Sequence, residues 1–78
     1  MTAEKLKKII ANQLGIEPNS ISLENKIVDD LGTDSLDIVE IVMDVENAFS
    51  IKIEDEEYQD ADTVQKIVDL INTKIEKK

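Results

Sequence analysis

The sequence contains no cysteine, histidine, arginine or tryptophan. Without cysteine, no disulfide can cross-link this chain of 78 residues and no thiolate can bind a metal. Without histidine, the chain lacks the side chain that most often acts as a general base near neutral pH. A serine or cysteine nucleophile activated by histidine is therefore excluded, and a hydrolase is the least expected class of protein.

Aromatic residues and long apolar runs are also scarce. Phe49 and Tyr58 are the only aromatic residues, so the core has to be built from aliphatic side chains. No uninterrupted apolar run resembles a signal peptide or a membrane span, so we expect a soluble, cytoplasmic protein that does not insert into membranes. A chain of this length is enough for one small domain, which we place at residues 1–78 and expect to be a monomer.

Basic residues are few compared with acidic ones. The chain has 18 acidic and 9 basic residues and a net charge of −9, so the phosphates of nucleic acids would repel it. Acidic residues are concentrated between Asp29 and Asp60, where Lys52 is the only basic residue. We expect this segment to attract proteins with basic surfaces, although an acidic surface that serves only solubility is the alternative.

Apolar residues recur at helical spacing in three segments. The first helix is predicted to begin after Thr2 and to end at Leu14, where Gly15 can adopt the left-handed conformation of a helix cap. The second is predicted from Ser35 to Phe49. A long loop, residues 16–33, separates them and carries enough apolar side chains to be held against the core.

The C-terminal part of the chain predicts two more helices. A short helix is expected near Asp55 to Gln59, and the last helix is expected to start after Asp62, with Gln65 at its capping-box position. Residues 51–53 alternate like a strand but have no partner strand, so we interpret them as an extended connector. The sequence therefore predicts an all-α, small four-helix bundle with three longer helices, one short helix and a long loop between helices one and two.

The predicted second helix has apolar residues on two sides. Asp34 is the expected N-cap residue, and Asp37 completes a capping-box-like pair with it. At about 100° per residue, one broad face is expected to pack on the core; it comprises Ile38, Ile41, Val42, Val45, Ala48 and Phe49. A narrower apolar strip lies on the opposite side, next to acidic side chains; the strip is Leu36, Val39 and Met43, and its neighbours are Asp37, Glu40, Asp44, Glu46 and Asn47. An apolar centre with a charged rim is typical of protein interfaces, so we interpret this side as a docking surface.

Ser35 lies at the start of this helix, where free backbone N–H groups and the helix dipole favour an attached phosphate. No histidine exists to take its proton, and no lysine lies near it in the sequence. Acidic neighbours alone would activate the hydroxyl poorly. We therefore interpret Ser35 as a hydroxyl that another protein modifies, while a capping serine without further function is the alternative.

The segment Gly32-Thr33-Asp34-Ser35-Leu36, followed by Val39-Glu40-Ile41-Val42-Met43, resembles the acyl carrier proteins, and most closely the stand-alone kind of type II fatty acid synthesis. The resemblance extends over nearly the whole chain. It implies a single carrier domain, not an enzyme, that shuttles acyl thioester intermediates between the enzymes of fatty acid biosynthesis. By this resemblance, Ser35 carries 4'-phosphopantetheine as a phosphodiester, which a Mg²⁺-dependent phosphopantetheinyl transferase installs from coenzyme A.

The resemblance also assigns roles to other side chains. Those expected to contact the transferase and the basic docking surfaces of fatty acid synthesis enzymes are Asp34, Leu36, Asp37, Val39, Glu40, Met43 and Glu46. Val45, Ile53 and neighbouring core residues are expected to line a cavity for the acyl chain. The chain departs from the family pattern around the third helix, with Ser50 in place of glycine, Glu54 of proline, Tyr58 of alanine and Ala61 of isoleucine.

The sequence also raises three other interpretations. The cargo could instead be a polyketide, an aminoacyl group or D-alanine, and the chain could be an acidic interaction module whose Ser35 is never modified. A calcium-binding loop from Asp29 to Glu40 has the right span of twelve positions. It is excluded because Leu31 stands where a ligand is required and Asp34 replaces the obligatory glycine.

Overall fold

The computed structural model describes residues 2–76. Its elements, in chain order, are helix α1 (Thr2–Leu14), a short 3₁₀ helix (Pro18–Ser20), α2 (Ser35–Phe49), α3 (Asp55–Gln59) and α4 (Val64–Glu76). Within these residues the only β-type pairing is one isolated bridge between Lys26 and Thr63. The predicted all-α bundle of three longer helices and one short helix is confirmed. None of the helices described between residues 2 and 76 has the length and apolar character needed to cross a bilayer.

The core is aliphatic, as the scarcity of aromatic residues predicts. Helix α1 packs against α2 and α4, and each of the three contributes side chains that solvent barely reaches. The buried apolar residues are Leu6, Ile10, Ala11, Ile21, Ile27, Ile41, Val45, Ile53, Val64, Val68 and Ile71. Phe49 and Tyr58 lie at the edge of this core, where they are half-buried.

The long loop between α1 and α2 is held against the bundle by backbone hydrogen bonds. The Ile27 N–H donates to the Asp62 carbonyl at 2.9 Å, and the Val64 N–H donates to the Asn25 carbonyl at 3.0 Å. Ile21 and Ile27 are buried in the core. The loop therefore reaches the start of α4 before it turns back to α2, as its apolar residues predict.

Two sequence expectations about the helices are wrong. The N-terminus of α4 is capped by Thr63, whose Oγ1 accepts from the Lys66 N–H at 3.2 Å, and not by Asp62. Gln65 forms no capping box, because its backbone N–H donates to the Leu23 carbonyl and its side-chain amide donates to Asp69 Oδ1. On α2, Ala48 was expected on the core face but is exposed.

Candidate functional site

Ser35 is the first residue of α2, and its side chain is exposed. The predicted capping box is present immediately around it. Asp34 Oδ1 accepts from the Asp37 N–H at 2.9 Å, and Asp37 Oδ2 accepts from the Asp34 N–H at 3.3 Å. These reciprocal bonds satisfy two backbone N–H groups that the helix cannot satisfy itself. They fix the backbone that presents the Ser35 hydroxyl.

The turn before Ser35 is constrained as well. Thr33 is buried, and its Oγ1 donates to the Ile27 carbonyl at 2.9 Å. Gly32 has a φ of +70°, which glycine adopts without the steric strain of a side chain, and its N–H donates to the Val28 carbonyl at 3.0 Å. These bonds therefore hold the turn that leads into α2, and Ser35 at its end is exposed.

An apolar cavity of about 330 Å³ adjoins Ser35. This volume is at the lower end of the roughly 300–1,000 Å³ typical of small-molecule sites. Its lining is mainly aliphatic and comes from the long loop, from α2, α3 and α4, and from the segments on either side of α3; it comprises Ile27, Val28, Ser35, Ile38, Val39, Ile41, Val42, Val45, Ile53, Tyr58, Gln59, Ala61, Asp62, Ile67 and Leu70. A group attached at Ser35 would begin at the edge of an apolar chamber. Val45 and Ile53, which the resemblance places at an acyl cavity, both line it.

The outer strip of α2 is exposed, as its spacing predicts. Leu36 is 66% exposed, Val39 42% and Met43 55%. Each residue has more apolar surface in contact with water than a core position would have, and the three follow one another along the helix from Ser35. The strip leaves a continuous apolar surface next to the Ser35 hydroxyl.

Several carboxylates beside this strip already have partners within the protein. Asp34 and Asp37 bond to backbone N–H groups of the cap. Glu40 Oε2 accepts from the side-chain amide of Gln13 on α1. Glu46 is half-buried, and its Oε2 accepts from the Ile53 N–H at 2.8 Å. Glu46 therefore holds the connector to α3 against α2, a structural task that the sequence alone did not indicate.

Asp62 contributes a charged group to the cavity lining. Its Oδ1 lies 2.9 Å from Lys66 Nζ. The hydrogen bond from Lys66, and next the positive charge of that side chain, lower the pKa of the Asp62 carboxyl below its ordinary value. Asp62, one of the polar residues in the lining, is therefore ionised at neutral pH, and its side chain is exposed. Among residues 2–76, no group of three or more acidic side chains is placed to hold a metal ion.

The comparison with the family pattern already marks Tyr58 as a departure near the third helix, but no sequence signal indicates that Gln59 and Asp62 line the cavity. Tyr58 is one of only two aromatic residues in the chain, and it departs from the alanine of the family pattern at a helix that is otherwise polar. Gln59 and Asp62 carry no such mark, since acidic and amide residues are common throughout this segment.

The chain is similar to proteins of one family in both sequence and fold. Residues 4–71 match the PP-binding family, described as the phosphopantetheine attachment site. Over 76 residues the chain is 46% identical to the acyl carrier protein of Clostridium acetobutylicum, and the alignment covers 97% of this chain and 99% of that protein.

Two solved structures of acyl carrier proteins share the fold. The crystal structure of the protein from Thermotoga maritima superposes with a TM-score of 0.81 at 32% identity, covering 94% of this chain and 85% of that chain. The protein from Enterococcus faecalis gives a TM-score of 0.78 at 34% identity, covering 94% and 92% of the two chains. This chain therefore belongs to the acyl carrier proteins, non-catalytic carriers with a phosphopantetheine attachment domain.

Proposed function

We propose that Ser35 is the residue to which 4'-phosphopantetheine is attached, and that the chain carries acyl groups between the enzymes of fatty acid synthesis. The observation that carries this proposal is the position of the Ser35 hydroxyl. It is exposed at the first residue of α2 and adjoins an apolar cavity of about 330 Å³. An attachment point needs access for a modifying enzyme and room nearby for the cargo, and this position offers both.

The residues around Ser35 fit a phosphodiester at that oxygen. Ser35 lies in the first turn of α2, where the helix dipole favours negative charge. The capping box occupies the N–H groups of Asp34 and Asp37 but leaves the serine hydroxyl exposed. A phosphate bound to Ser35 would lie outside the core, so that its charge stays solvated.

The attachment reaction needs a base from outside the chain. In the proposed transfer from coenzyme A, a bond forms between Ser35 Oγ and the phosphorus next to the pantetheine, and the phosphoanhydride bond to the nucleotide breaks. Adenosine 3',5'-bisphosphate leaves, and the serine proton passes to a base of the phosphopantetheinyl transferase. When bound, phosphopantetheine supplies a terminal thiol that holds the acyl cargo, chemistry that this cysteine-free chain cannot supply itself.

The protein's own residues then hold the cargo and present it. The aliphatic lining contributed by α2 and α4 gives an apolar chain a surface away from water, which favours its entry by the hydrophobic effect. The strip formed by Leu36, Val39 and Met43 provides contact area for the partner enzymes. Exposed acidic side chains of α2, such as Asp44, would attract their basic surfaces and orient them. We place this activity in the cytoplasm, in a single carrier domain of residues 1–78.

The attachment site is tested by intact-mass spectrometry. The apo protein is incubated with coenzyme A and a phosphopantetheinyl transferase, beside Ser35→Ala and the control Ser20→Ala, which alters an exposed serine of the 3₁₀ helix. The parent protein and Ser20→Ala are expected to gain the mass of one phosphopantetheine, and Ser35→Ala none. An adduct on Ser35→Ala would assign the site elsewhere.

The pathway is tested by the cargo itself. Protein isolated from its natural source is digested, and the acyl groups bound to the phosphopantetheine are identified by mass. Straight saturated, 3-hydroxy and 2,3-unsaturated chains differing by two carbons are expected. Aminoacyl, D-alanyl or methyl-branched polyketide groups would retain the carrier role and contradict the assignment to fatty acid synthesis.

A further inference from the structure

Helix α3 presents one apolar side chain to the rest of the protein. Of its five residues, Asp55 to Gln59, only Tyr58 is not acidic or an amide, and none of the five is fully buried. Tyr58 is half-buried and packs against the core. Because burial of apolar area is what attaches a helix to a core, Tyr58 carries the hydrophobic contact of α3.

Tyr58 also stands between two spaces. One is the apolar cavity beside Ser35, and the other is a groove of about 410 Å³ on the outer surface. The groove is lined by residues of α2, the connector and α3, including Met43, Glu46 and Lys52. Four side chains line both spaces and so form the wall between them: Val39, Val42, Ile53 and Tyr58.

The four residues of this wall differ in size and support. Val39 and Val42 belong to α2, a helix of 15 residues with a capping box at its start. The backbone of Ile53 is fixed by its hydrogen bond to Glu46 Oε2. Tyr58 has the largest side chain of the four and lies on the shortest α-helix, α3, which has five residues. A change in its ring position, or its removal, would alter the wall more than a change at the other three.

We propose that Tyr58 determines the length of acyl chain that the cavity accepts, because its ring closes the cavity toward the groove between α2 and α3. A saturated chain that fits within the cavity leaves the ring in place. A longer chain has to displace the ring outward, which exposes aromatic surface and opens the cavity into the groove. Tyr58 is thus a specificity-determining residue for cargo length, and this inference rests on the proposed function of Ser35.

The test compares chain-length profiles. A phosphopantetheinyl transferase and acyl-coenzyme A load the apo protein with saturated groups from butyryl to palmitoyl, intact mass verifies each loading, and the melting temperature is measured. In the parent protein the melting temperature is expected to rise with chain length up to a limit and then to level off or fall. In Tyr58→Ala the limit is expected to move by about two to four carbons toward longer chains, since the lost ring leaves space of that order.

Two controls separate the wall from general destabilisation. Tyr58→Phe keeps the ring and is expected to keep the parent limit. Leu14→Ala removes a half-buried side chain that packs on the core outside the cavity lining, so it is expected to lower every melting temperature without moving the limit. If Tyr58→Ala does not fold, Tyr58→Leu replaces it, because leucine keeps apolar contact and still shortens the wall.

Intrinsic fluorescence gives a second measurement. Tyr58 is the only tyrosine and the chain has no tryptophan, so tyrosine emission comes from this wall alone. Acrylamide quenching is expected to match that of the unloaded protein for the shortest groups and to rise for groups beyond the limit. An unchanged limit in Tyr58→Ala, or equal quenching at all loaded lengths, would overturn the inference. Failure of loading in the mass measurement would contradict the proposed function instead.

Discussion

Helices α2 and α3 form two walls of the same cavity, but the chain holds them in place very differently. Helix α2 has 15 residues, a capping box at its start, and Ile41 and Val45 buried in the core. Helix α3 has five residues and no buried side chain. The cavity is therefore bounded by two helices of different stability, in addition to the four-residue wall toward the groove. Helix α2 is the fixed wall, which presents Ser35, and α3 is a wall that a few contacts hold.

The contacts that hold α3 can be named. Lys74 Nζ on α4 lies 2.7 Å from Glu57 Oε2, and the Glu54 N–H donates to Glu57 Oε1 at 2.9 Å. Glu46 fixes the preceding connector through Ile53, and Tyr58 supplies the apolar contact. Regions with few buried apolar contacts open at low free energy, while core helices open only with global unfolding. The attachment point thus belongs to the firmly held helix, and the part of the lining held by few contacts belongs to α3.

The largest expected effect comes from the fixed wall. Ile41→Ala removes a side chain that is 3% exposed, and we expect it to lower the free energy of unfolding by about 2–4 kcal/mol. Urea denaturation followed by circular dichroism at 222 nm measures the loss. Ile16→Ala, at an isoleucine that is 40% exposed in the long loop, is the matched control and is expected to cost less than about 1 kcal/mol. Equal losses for the two variants would contradict the assignment of α2 as the fixed wall.

The hydrogen bond between Glu46 and the connector, residues 51–53, is expected to give the next largest effect on the free energy of unfolding. Glu46→Ala leaves the part-buried Ile53 N–H without its acceptor, and we expect a loss of about 1–3 kcal/mol. Glu46→Gln keeps a side-chain oxygen at the same place and is expected to retain most of the stability. Hydrogen exchange at the Ile53 amide gives a local measurement, since only the alanine variant is expected to exchange faster there. Faster exchange in both variants would mean that the charge of Glu46, and not its acceptor oxygen, holds the connector.

The two walls also differ in how well the sequence predicted them. The boundaries of α1 and α2, the Asp34–Asp37 capping box and the exposed strip follow from periodicity and from bonds between residues three or four apart. Such local features can be predicted from the sequence because the residues that interact lie within a few positions of one another. The aliphatic core followed from composition alone. These features describe the side of the site that presents Ser35.

What the sequence did not predict depends on contacts between distant segments. The N–H of Gln65 bonds to Leu23 in the long loop, which places the start of α4 one residue later than expected. Glu46 reaches Ile53 because Ser50 takes a left-handed conformation, with a φ of +55°, at the end of α2. Periodicity placed Ala48 on the core face, but it cannot tell whether a neighbouring element extends far enough to cover that residue. The wall formed by Tyr58 arises in the same way, from packing across elements.

The N-terminal cap of α2 provides a smaller effect that sharpens the contrast with α3. Asp34→Ala removes the acceptor for the Asp37 N–H, and we expect a loss of about 1 kcal/mol in the free energy of unfolding. Asp34→Asn is the matched control, because it keeps a side-chain oxygen that can accept the capping hydrogen bond. We expect it to lower the free energy of unfolding by about a few tenths of a kcal/mol at most. The equivalent change on the other wall, Glu57→Ala, is expected to alter local exchange in α3 more than global stability. If Glu57→Ala lowered the free energy of global unfolding more than Asp34→Ala, α3 and not α2 would be the more firmly held helix.

The smallest expected effect is a pH dependence of stability that arises from Asp62, between α3 and α4. The neighbouring Lys66 lowers the pKa of the Asp62 carboxyl in the folded protein. A carboxyl whose pKa is lower in the folded than in the unfolded state contributes stability above its unfolded pKa of about 4, and this contribution is lost as the pH falls through the folded value. Because the pair is exposed, the contribution is small and is screened by salt.

Lys66→Gln tests this contribution, since it removes the positive charge and leaves Asp62 in place. The pKa of Asp62, followed by the chemical shift of its carboxyl carbon, is expected to rise toward the ordinary value in this variant. The urea midpoints of the parent protein and the variant are expected to differ most near neutral pH, to approach each other below the unfolded pKa of about 4, and to converge only below the lowered folded pKa of Asp62, where this carboxyl is protonated in both proteins. A difference that persists unchanged at low pH would show that Lys66 acts through packing of its methylene chain. In that case the charge of Lys66 would make no contribution to stability through Asp62.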